Sequence, residues 1–354
     1  MKILLIRLRL IGDVVFTTPI PRALKREFPG ARVEYLVEES AAPVLAGNTS
    51  IDELHVIPRT RGLRRITDDL ALARRLRRKR FDLVIDLHGG PRSSWLTLAT
   101  GAPQRIGYVI AGRSWMYTKA VPRPRELRPR HSVVNQWDLL DAIEGWRGGA
   151  ADPARDGVEM PLDPAADARI GARLAQLGVL PAHELILAHV SAGNPFRRWP
   201  EPAFVASLTA LAAANERRRI IVSSGPSDRD AATRISAAVR AALGERASRL
   251  LDFGEFDLAE LRALISRSRV FVGGDTGPLH IAATTGTPVV GLYGPTLPAR
   301  SAPWRDRTIP TTSLEIDGLP CRPCEQRTCE PGDFRCLTTI RPEQVIAAAE
   351  AVMR

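Results

Sequence analysis

The sequence predicts an α/β protein made of two doubly wound parallel-sheet domains, and three observations carry that expectation. The chain has 354 residues, more than one ordinary core fills and enough for two. Short apolar runs alternate with helical stretches throughout, the pattern of βαβ units. A stretch rich in Gly, Pro and small residues, 145–164 (GWRGGAADPARDGVEMPLDP), interrupts the alternation near its middle and reads as a linker. The expected divisions are 1–160, 161–340 and a closing C-terminal helix over 341–354.

In the first half, strands are expected at 2–9, 32–37, 54–57, 82–87 and 105–107, with helices at 18–28, 63–79, 93–100 and 133–144. In the second half, strands are expected at 185–190, 219–223, 249–252, 270–273 and 288–292. Helices there are expected at 202–215, 228–243, 258–266 and 342–353. Open α/β sheets bind ligands beyond the carboxyl ends of their strands. Two such sheets on one linker predict a central cleft lined by the loops that leave those ends.

Charge separates the two halves. The net charge is +11, and residues 1–150 hold 26 basic against 15 acidic residues, while 151–354 hold 24 of each. The densest runs are 74–80 (RRLRRKR), 59–65 (RTRGLRR) and 123–130 (RPRELRPR). Only four of the 50 basic residues are Lys. Solvated helix faces would account for any one run. The one-sidedness of the whole points to an anionic partner: nucleic acid, a membrane surface or an acidic substrate. Nucleic acid is disfavoured, because RRLRRKR lacks the interleaved aromatics on which bases stack and aromatics make up only 5% of the chain.

The apolar start is broken by Lys2, Arg7 and Arg9 and runs on into Ile11-Gly12-Asp13. It resembles neither a spanning segment of about 20 apolar residues nor a cleavable leader, so a cytoplasmic protein is expected. All four cysteines, Cys321, Cys324, Cys329 and Cys336, fall in one Cys-x2-Cys-x4-Cys-x6-Cys stretch. A disulfide framework does not suit a cytoplasmic chain. The stretch reads either as a structural zinc or iron–sulfur site or as a loop of free thiols.

Four loops could carry chemistry. Asp13 follows the first strand, after a turn assigned to Gly12, and reads as a general base or as a first-turn helix acid. Gly12 stands without Gly-x-Gly-x-x-Gly or Gly-x4-Gly-Lys-Ser/Thr, which argues against a dinucleotide-dependent dehydrogenase and a P-loop ATPase. Gly89-Gly90, after Asp86-Leu87-His88, reads as a second cleft turn or a local structural one. The segment 189–200 (HVSAGNPFRRWP) reads as a diphosphate-and-base pocket in which Arg197 or Arg198 binds phosphate, or as a loop closed by Trp199 in the core. The segment 273–283 (GGDTGPLHIAA) is the sharpest signal. Glycines end a strand, the amides of Thr276 and Gly277 open a helix toward an anion, and Asp275 is placed to bind sugar hydroxyls. His280 reads as a core histidine or a phosphate donor. A further turn, 293–296 (YGPT), is expected beside it. The candidate contact residues are Ser191, Arg197, Arg198, Asp275, Thr276, Gly277, Pro278 and His280 in the second half, and Arg9, Gly12, His88 and Arg92 in the first.

Taken in order, these blocks resemble glycosyltransferase family 9, the heptosyltransferases of lipopolysaccharide core assembly. The resemblance runs from ILLIRLRLIGDVVFTTPIPRALKREFPGARVEYL through FDLVIDLHGG, QRIGY, HVSAGNPFRRWPE and VGGDTGPLHIAATTGTPVVGLYGPT to CRPCEQRTCEPGDFRCLTTIRPEQV. It implies a GT-B fold of two Rossmann-like domains, acceptor on the first and nucleotide sugar on the second. It implies inverting, metal-independent transfer with no cofactor, ADP-heptose being the expected donor. Asp13 matches the family's general base, and Asp275, Thr276 and Gly277 match its donor motif. Arg197 and Arg198 stand near the place of the family's phosphate-binding lysine, and Leu10-Ile11 replace the serines that often precede its Gly-Asp. The implied acceptor is an anionic lipopolysaccharide core met at the inner face of the inner membrane. The rival readings are a transferase for another nucleotide sugar and a nucleotide-sugar epimerase.

Overall fold

A computed structural model of the chain describes residues 1–60, 62–123 and 129–354. Two units divide it, Met1–Pro161 and Leu162–Arg354.

The first unit begins with β1 (Lys2–Ile6), α1 (Ile11–Val15), α2 (Pro19–Glu27), β2 (Arg32–Glu38) and β3 (Glu53–Ile57). It continues with α3 (Gly62–Arg78), β4 (Leu83–Asp86), α4 (Pro91–Ala99), β5 (Gln104–Tyr108), β6 (Lys119–Val121) and α5 (Ser132–Trp137). Its six strands are all parallel, in the order β3-β2-β1-β4-β5-β6. Ile3, Leu4, Leu5 and Ile6 of β1 are fully buried, as expected of a strand covered on both faces. One face packs Leu4, Ile6, Leu36 and Val84 against Leu72, Ala73 and Leu76 of α3.

The second unit opens with α6 (Pro164–Gln176), capped by the Asp163 carboxylate, which accepts from the Ala165 amide at 2.9 Å. Then come β7 (Glu184–His189), α7 (Glu201–Ala214), β8 (Arg218–Ser223), α8 (Arg229–Leu243), β9 (Leu250–Leu251), α9 (Leu258–Ser266), β10 (Val270–Gly274) and α10 (Gly277–Ala282). The unit ends with β11 (Val289–Tyr293), α11 (Pro298–Ser301), β12 (Thr311–Glu315), α12 (Arg335–Thr338) and α13 (Pro342–Met353). The sheet order is β12-β11-β10-β7-β8-β9, again all parallel. Counted within its own unit, each sheet therefore has the order 3-2-1-4-5-6, in which the winding reverses between the first and fourth strands. Those reversals lie at β1/β4 and β7/β10.

Several expected elements differ. Residues 133–144 are not one helix: α5 stops at Trp137, whose indole N–H donates to Gly149 O at 2.8 Å, and the chain continues in turns. Trp146 packs edge-on against Trp137 at 6.2 Å, so the aromatic pair holds the reversal. Strands β6 and β12 carry no apolar run because each is a sheet edge with little buried surface. The 74–80 run ends α3 and continues beyond it; Leu76 is buried while Arg74, Arg75, Arg77, Arg78 and Arg80 are exposed. Most of 123–130, and Arg61 of the 59–65 run, lie outside the described residues. Among the described residues no helix is long and apolar enough to cross a membrane.

Trp199 belongs to the core of the second unit. It is buried, meets Phe204 edge-on at 4.8 Å, and its indole N–H donates to Ile340 O at 3.0 Å. It thus ties the loop after β7 to the start of α13. Replacing Trp199 with Ala removes both the packing and the tether and is expected to cost about 3–5 kcal/mol, read as a lowered urea midpoint.

Candidate active site

The sharp turn after β1 falls at Leu10, which is exposed and left-handed at φ 70°, rather than at Gly12. Gly12 lies inside α1 beside Asp13. A branched residue in this conformation carries backbone strain, and it aims the short α1 that bears Asp13. Asp13 sits in the first turn of α1 and pairs with Arg7 at the end of β1. The Arg7 guanidinium is buried, and its Nη1 donates to Leu87 O at 2.7 Å. Asp13 is therefore held by a cation that is itself anchored to the chain leaving β4.

That neighbouring turn is organised by Asp86. Its Oδ1 accepts from the amides of His88 at 3.0 Å and Gly89 at 2.8 Å, and its Oδ2 from Ser93 Oγ at 2.9 Å and Tyr117 OH at 2.7 Å. Burial raises its carboxyl above the ordinary range despite these donors. His88 is pushed down to about 4 by burial and by the charges of Arg7 and Arg9, so it stands beside Asp13 as a neutral imidazole. Arg123 adds to the same field. Arg9 is exposed at the mouth of this turn. Arg92, expected among the acceptor contacts, sits in an internal ion-pair network. Its guanidinium grips Asp69 of α3 at 2.6 Å and Glu38 at 3.1 Å and is nearly buried. Its charge is satisfied internally, and it joins α4 to α3 and β2.

In the second unit the loops after β7 and β10 meet. A Cβ at Gly274 would come 3.1 Å from Arg197 O, so this glycine admits the 195–198 backbone. Arg197 Nη1 donates to Asp275 O at 2.8 Å and lies 3.5 Å from its Oδ2. Thr296, in the turn after β11, donates to Asp275 Oδ2 at 2.6 Å, and His280 Nε2 lies 3.3 Å from Oδ1. Burial would raise the Asp275 carboxyl, but His280, Arg197 and Thr296 outweigh it and bring it down to about 2. Thr276 caps α10 in an extended conformation, with Gly277 and Pro278 in the first turn. Among the described residues the Thr276 and Gly277 N–H groups donate no hydrogen bond. Arg198 is differently placed: its Nε donates to Ala192 O at 3.0 Å and its Nη2 lies 2.7 Å from Asp228 Oδ1. Asp228 also accepts from Ser191 Oγ and from Ser227 Oγ. Beside them, beyond β8 and β9, opens a cavity of about 480 Å³ lined by Ser223, Ser224, Arg229, Asp252, Phe253 and Phe256.

Asp228, Thr296, Gln326 and Arg322 join this cluster without being singled out in the sequence. They come from three loops, after β8, β11 and β12; the 293–296 turn and the cysteine stretch carried signals, but not for these side chains.

Among the described residues, the side chains grouped closely enough to share a metal ion are Glu34, Glu53 and His55. Lys79 Nζ already lies 2.9 Å from Glu34 and 2.5 Å from Glu53, which makes the cluster an ion-pair network. The four half-buried cysteines form no such group. Burial and the neighbouring Cys324, Cys321 and Cys329 push the Cys336 thiol up, so the four side chains lie near one another and both readings of the stretch stand.

A family model described as glycosyltransferase family 9 (heptosyltransferase) matches residues 70–333. The chain belongs to glycosyltransferase family 9. Its relatives in this family include lipopolysaccharide heptosyltransferase 3 of Escherichia coli, 25% identical over 98% of this chain and 97% of the relative. Lipopolysaccharide heptosyltransferase 1 of Pseudomonas aeruginosa is 24% identical over 100% of this chain and 98% of its own. Among solved structures, the family 9 glycosyltransferase of Veillonella parvula gives a TM-score of 0.85 at 23% identity, covering 99% of this chain and 97% of that one. The E. coli ADP-heptose LPS heptosyltransferase II gives 0.75 at 20% identity, covering 100% and 98%. The α/β, GT-B fold class expected from the sequence stands.

In this family 9 chain, Asp275 gives an acid-stability prediction. Because Asp275 is held below its unfolded value, its carboxylate stabilises the fold above about pH 4, and that contribution is lost as pH falls toward about 2. Asp275→Asn is expected to lower the melting temperature at pH 7. The gap to wild type should narrow between pH 4 and pH 3 in a thermal-denaturation series.

Proposed function

We propose that this protein transfers a heptose from ADP-heptose, with inversion and without a metal ion, onto a hydroxyl of an anionic lipopolysaccharide inner-core acceptor. The observation that carries the reading is the anchored Arg7–Asp13 pair at the carboxyl end of β1. It presents a carboxylate beside a neutral imidazole in the unit that holds the basic excess. Asp13 takes the proton of the acceptor hydroxyl, and the oxygen attacks the anomeric carbon from the face opposite the diphosphate. The bond from that carbon to the diphosphate oxygen breaks, its electron pair leaves with the diphosphate, and the single displacement inverts the centre.

In the second unit, the unbonded Thr276 and Gly277 N–H groups and the Arg197 guanidinium suit the departing diphosphate. Arg197, tied to Asp275, is the phosphate ligand in this reading; Arg198 serves Asp228 and the Ser191 loop. The cavity beyond β8 and β9 takes the nucleoside, with Phe253 and Phe256 as apolar walls. The E. coli heptosyltransferase WaaC has been solved with ADP and with ADP-2-deoxy-2-fluoro heptose, which supports an adenine nucleotide here.

Asp13→Ala is expected to lower turnover on the order of 100-fold or more while leaving ADP affinity unchanged by calorimetry; near-normal turnover would remove Asp13 from its role. In a thermal-shift series ADP is expected to stabilise the protein and GDP and UDP not to. Incubation with the nucleotide sugar alone separates transfer from epimerisation, since only an epimerase needs no acceptor.

The acceptor is lipid-borne, and the reading places the enzyme on the cytoplasmic face of the inner membrane. On α3, Ile66 and Leu70 are exposed among Arg64, Arg65, Arg74 and Arg77; beyond β5, Trp115 is 67% exposed beside Arg113. Each arginine near an anionic bilayer contributes roughly 1 kcal/mol. The protein is expected to sediment with phosphatidylglycerol vesicles, not with phosphatidylcholine vesicles, and to be released by high salt.

A further inference from the structure

The segment that carries the four cysteines lies against the donor cluster, and no part of the transfer reaction described above uses it. Arg322 fastens it. Its Nε donates to Gly294 O, its Nη2 donates to Thr296 O at 2.6 Å and its Nη1 to Ile316 O at 3.1 Å, while Glu315 pairs with it at 2.6 Å. The Cys324 amide adds a bond to Pro295 O at 3.2 Å. At the other end of the segment, the Phe334 ring meets Phe196 edge-on at 5.3 Å. Between these fastenings Gln326 stands at φ 59°, a left-handed conformation that costs a side-chain-bearing residue strain.

The Gln326 carboxamide reaches the loop after β7. Its Oε1 accepts from Arg197 Nε at 2.7 Å and from Asn194 Nδ2 at 3.0 Å. Both partners are donors, so the oxygen must face them. Arg197 is thereby gripped twice, at Nε by Gln326 and at Nη1 by Asp275 O. Among the described residues its Nη2 takes no hydrogen bond. A guanidinium held at Nε and Nη1, with Nη2 left to donate, is prepared for an anion before the anion arrives.

We infer that Gln326 is a positioning residue for the donor diphosphate, acting through Arg197, and that the cysteine segment serves the enzyme as the carrier of this residue. The inference rests on the donor reading proposed above. It assigns to Gln326 a contribution to phosphate affinity and none to nucleoside affinity.

The test measures the affinities of wild type, Gln326→Leu and Gln326→Glu for ADP and for adenosine, with melting temperatures and steady-state kinetics. Gln326→Leu is expected to weaken ADP about tenfold and to raise KM for the nucleotide sugar by a similar factor. Adenosine affinity and the melting temperature stay at wild-type values. Gln326→Glu keeps an acceptor oxygen for Arg197 and restores ADP affinity to within about twofold. In an Arg197→Ala background, Gln326→Leu has no further effect on ADP. The inference is overturned if Gln326→Leu binds ADP as wild type does, if it loses ADP and adenosine together, or if the two substitutions are additive. Should wild type bind GDP or UDP instead, the same comparison is made with that diphosphate and its nucleoside. The adenine reading alone then falls. A wild type that binds no nucleoside diphosphate overturns the donor reading and this inference with it.

Discussion

Where a parallel sheet reverses its winding, the chains leaving two adjacent strands depart to opposite faces, and no crossover covers the gap between them. This chain contains that reversal twice, at β1/β4 and at β7/β10. Most of the polar groups with a claim on chemistry follow the strands that flank one or the other. Asp13 follows β1 and His88 follows β4; Ser191 and Arg197 follow β7, and Asp275 follows β10. The backbone hydrogen bonds of the sheets are satisfied without these loops, which are free to take the conformations that ligands require.

The two gaps are furnished by different electrostatics. In the first unit a buried arginine, bonded to a main-chain carbonyl, supplies the counter-charge for a half-exposed carboxylate. The imidazole nearby stays uncharged because burial and three arginines oppose its protonation. In the second unit a nearly fully buried carboxylate is kept ionised by a histidine, an arginine and a hydroxyl. Asp86 shows the contrast: buried and served by neutral donors alone, its carboxyl rises instead. Cationic partners, more than the number of hydrogen bonds, separate these two aspartates.

Much of this order was legible in the residues themselves. The run KILLI is apolar at four of five positions because β1 is covered on both faces, and the same holds for VVGLY of β11. The glycines of 273–274 announced a close backbone approach, although the approaching backbone is that of Arg197. The edge strands β6 and β12 were not legible, since KAV and TTSLE bury too little to need an apolar pattern. Leu10 took the turn expected of Gly12, because strain imposed by the surrounding fold leaves no mark in local composition. Arg92 and Arg198 looked like free cations until Asp69, Glu38 and Asp228 arrived from distant segments to neutralise them. Gln326 was invisible for the same reason: its meaning lies in a contact across 129 residues of chain.

The basic excess of the first 150 residues is almost wholly guanidinium, with only four lysines in the entire chain. Guanidinium does not lose its proton under any condition in which a protein stays folded, so the titrating part of this region's balance is its 15 carboxylates, and their protonation in acid adds to the positive excess. Near neutral pH, where the carboxylates stay charged, dissolved ions rather than protons set the reach of the field, shortening it to about 8 Å at physiological strength.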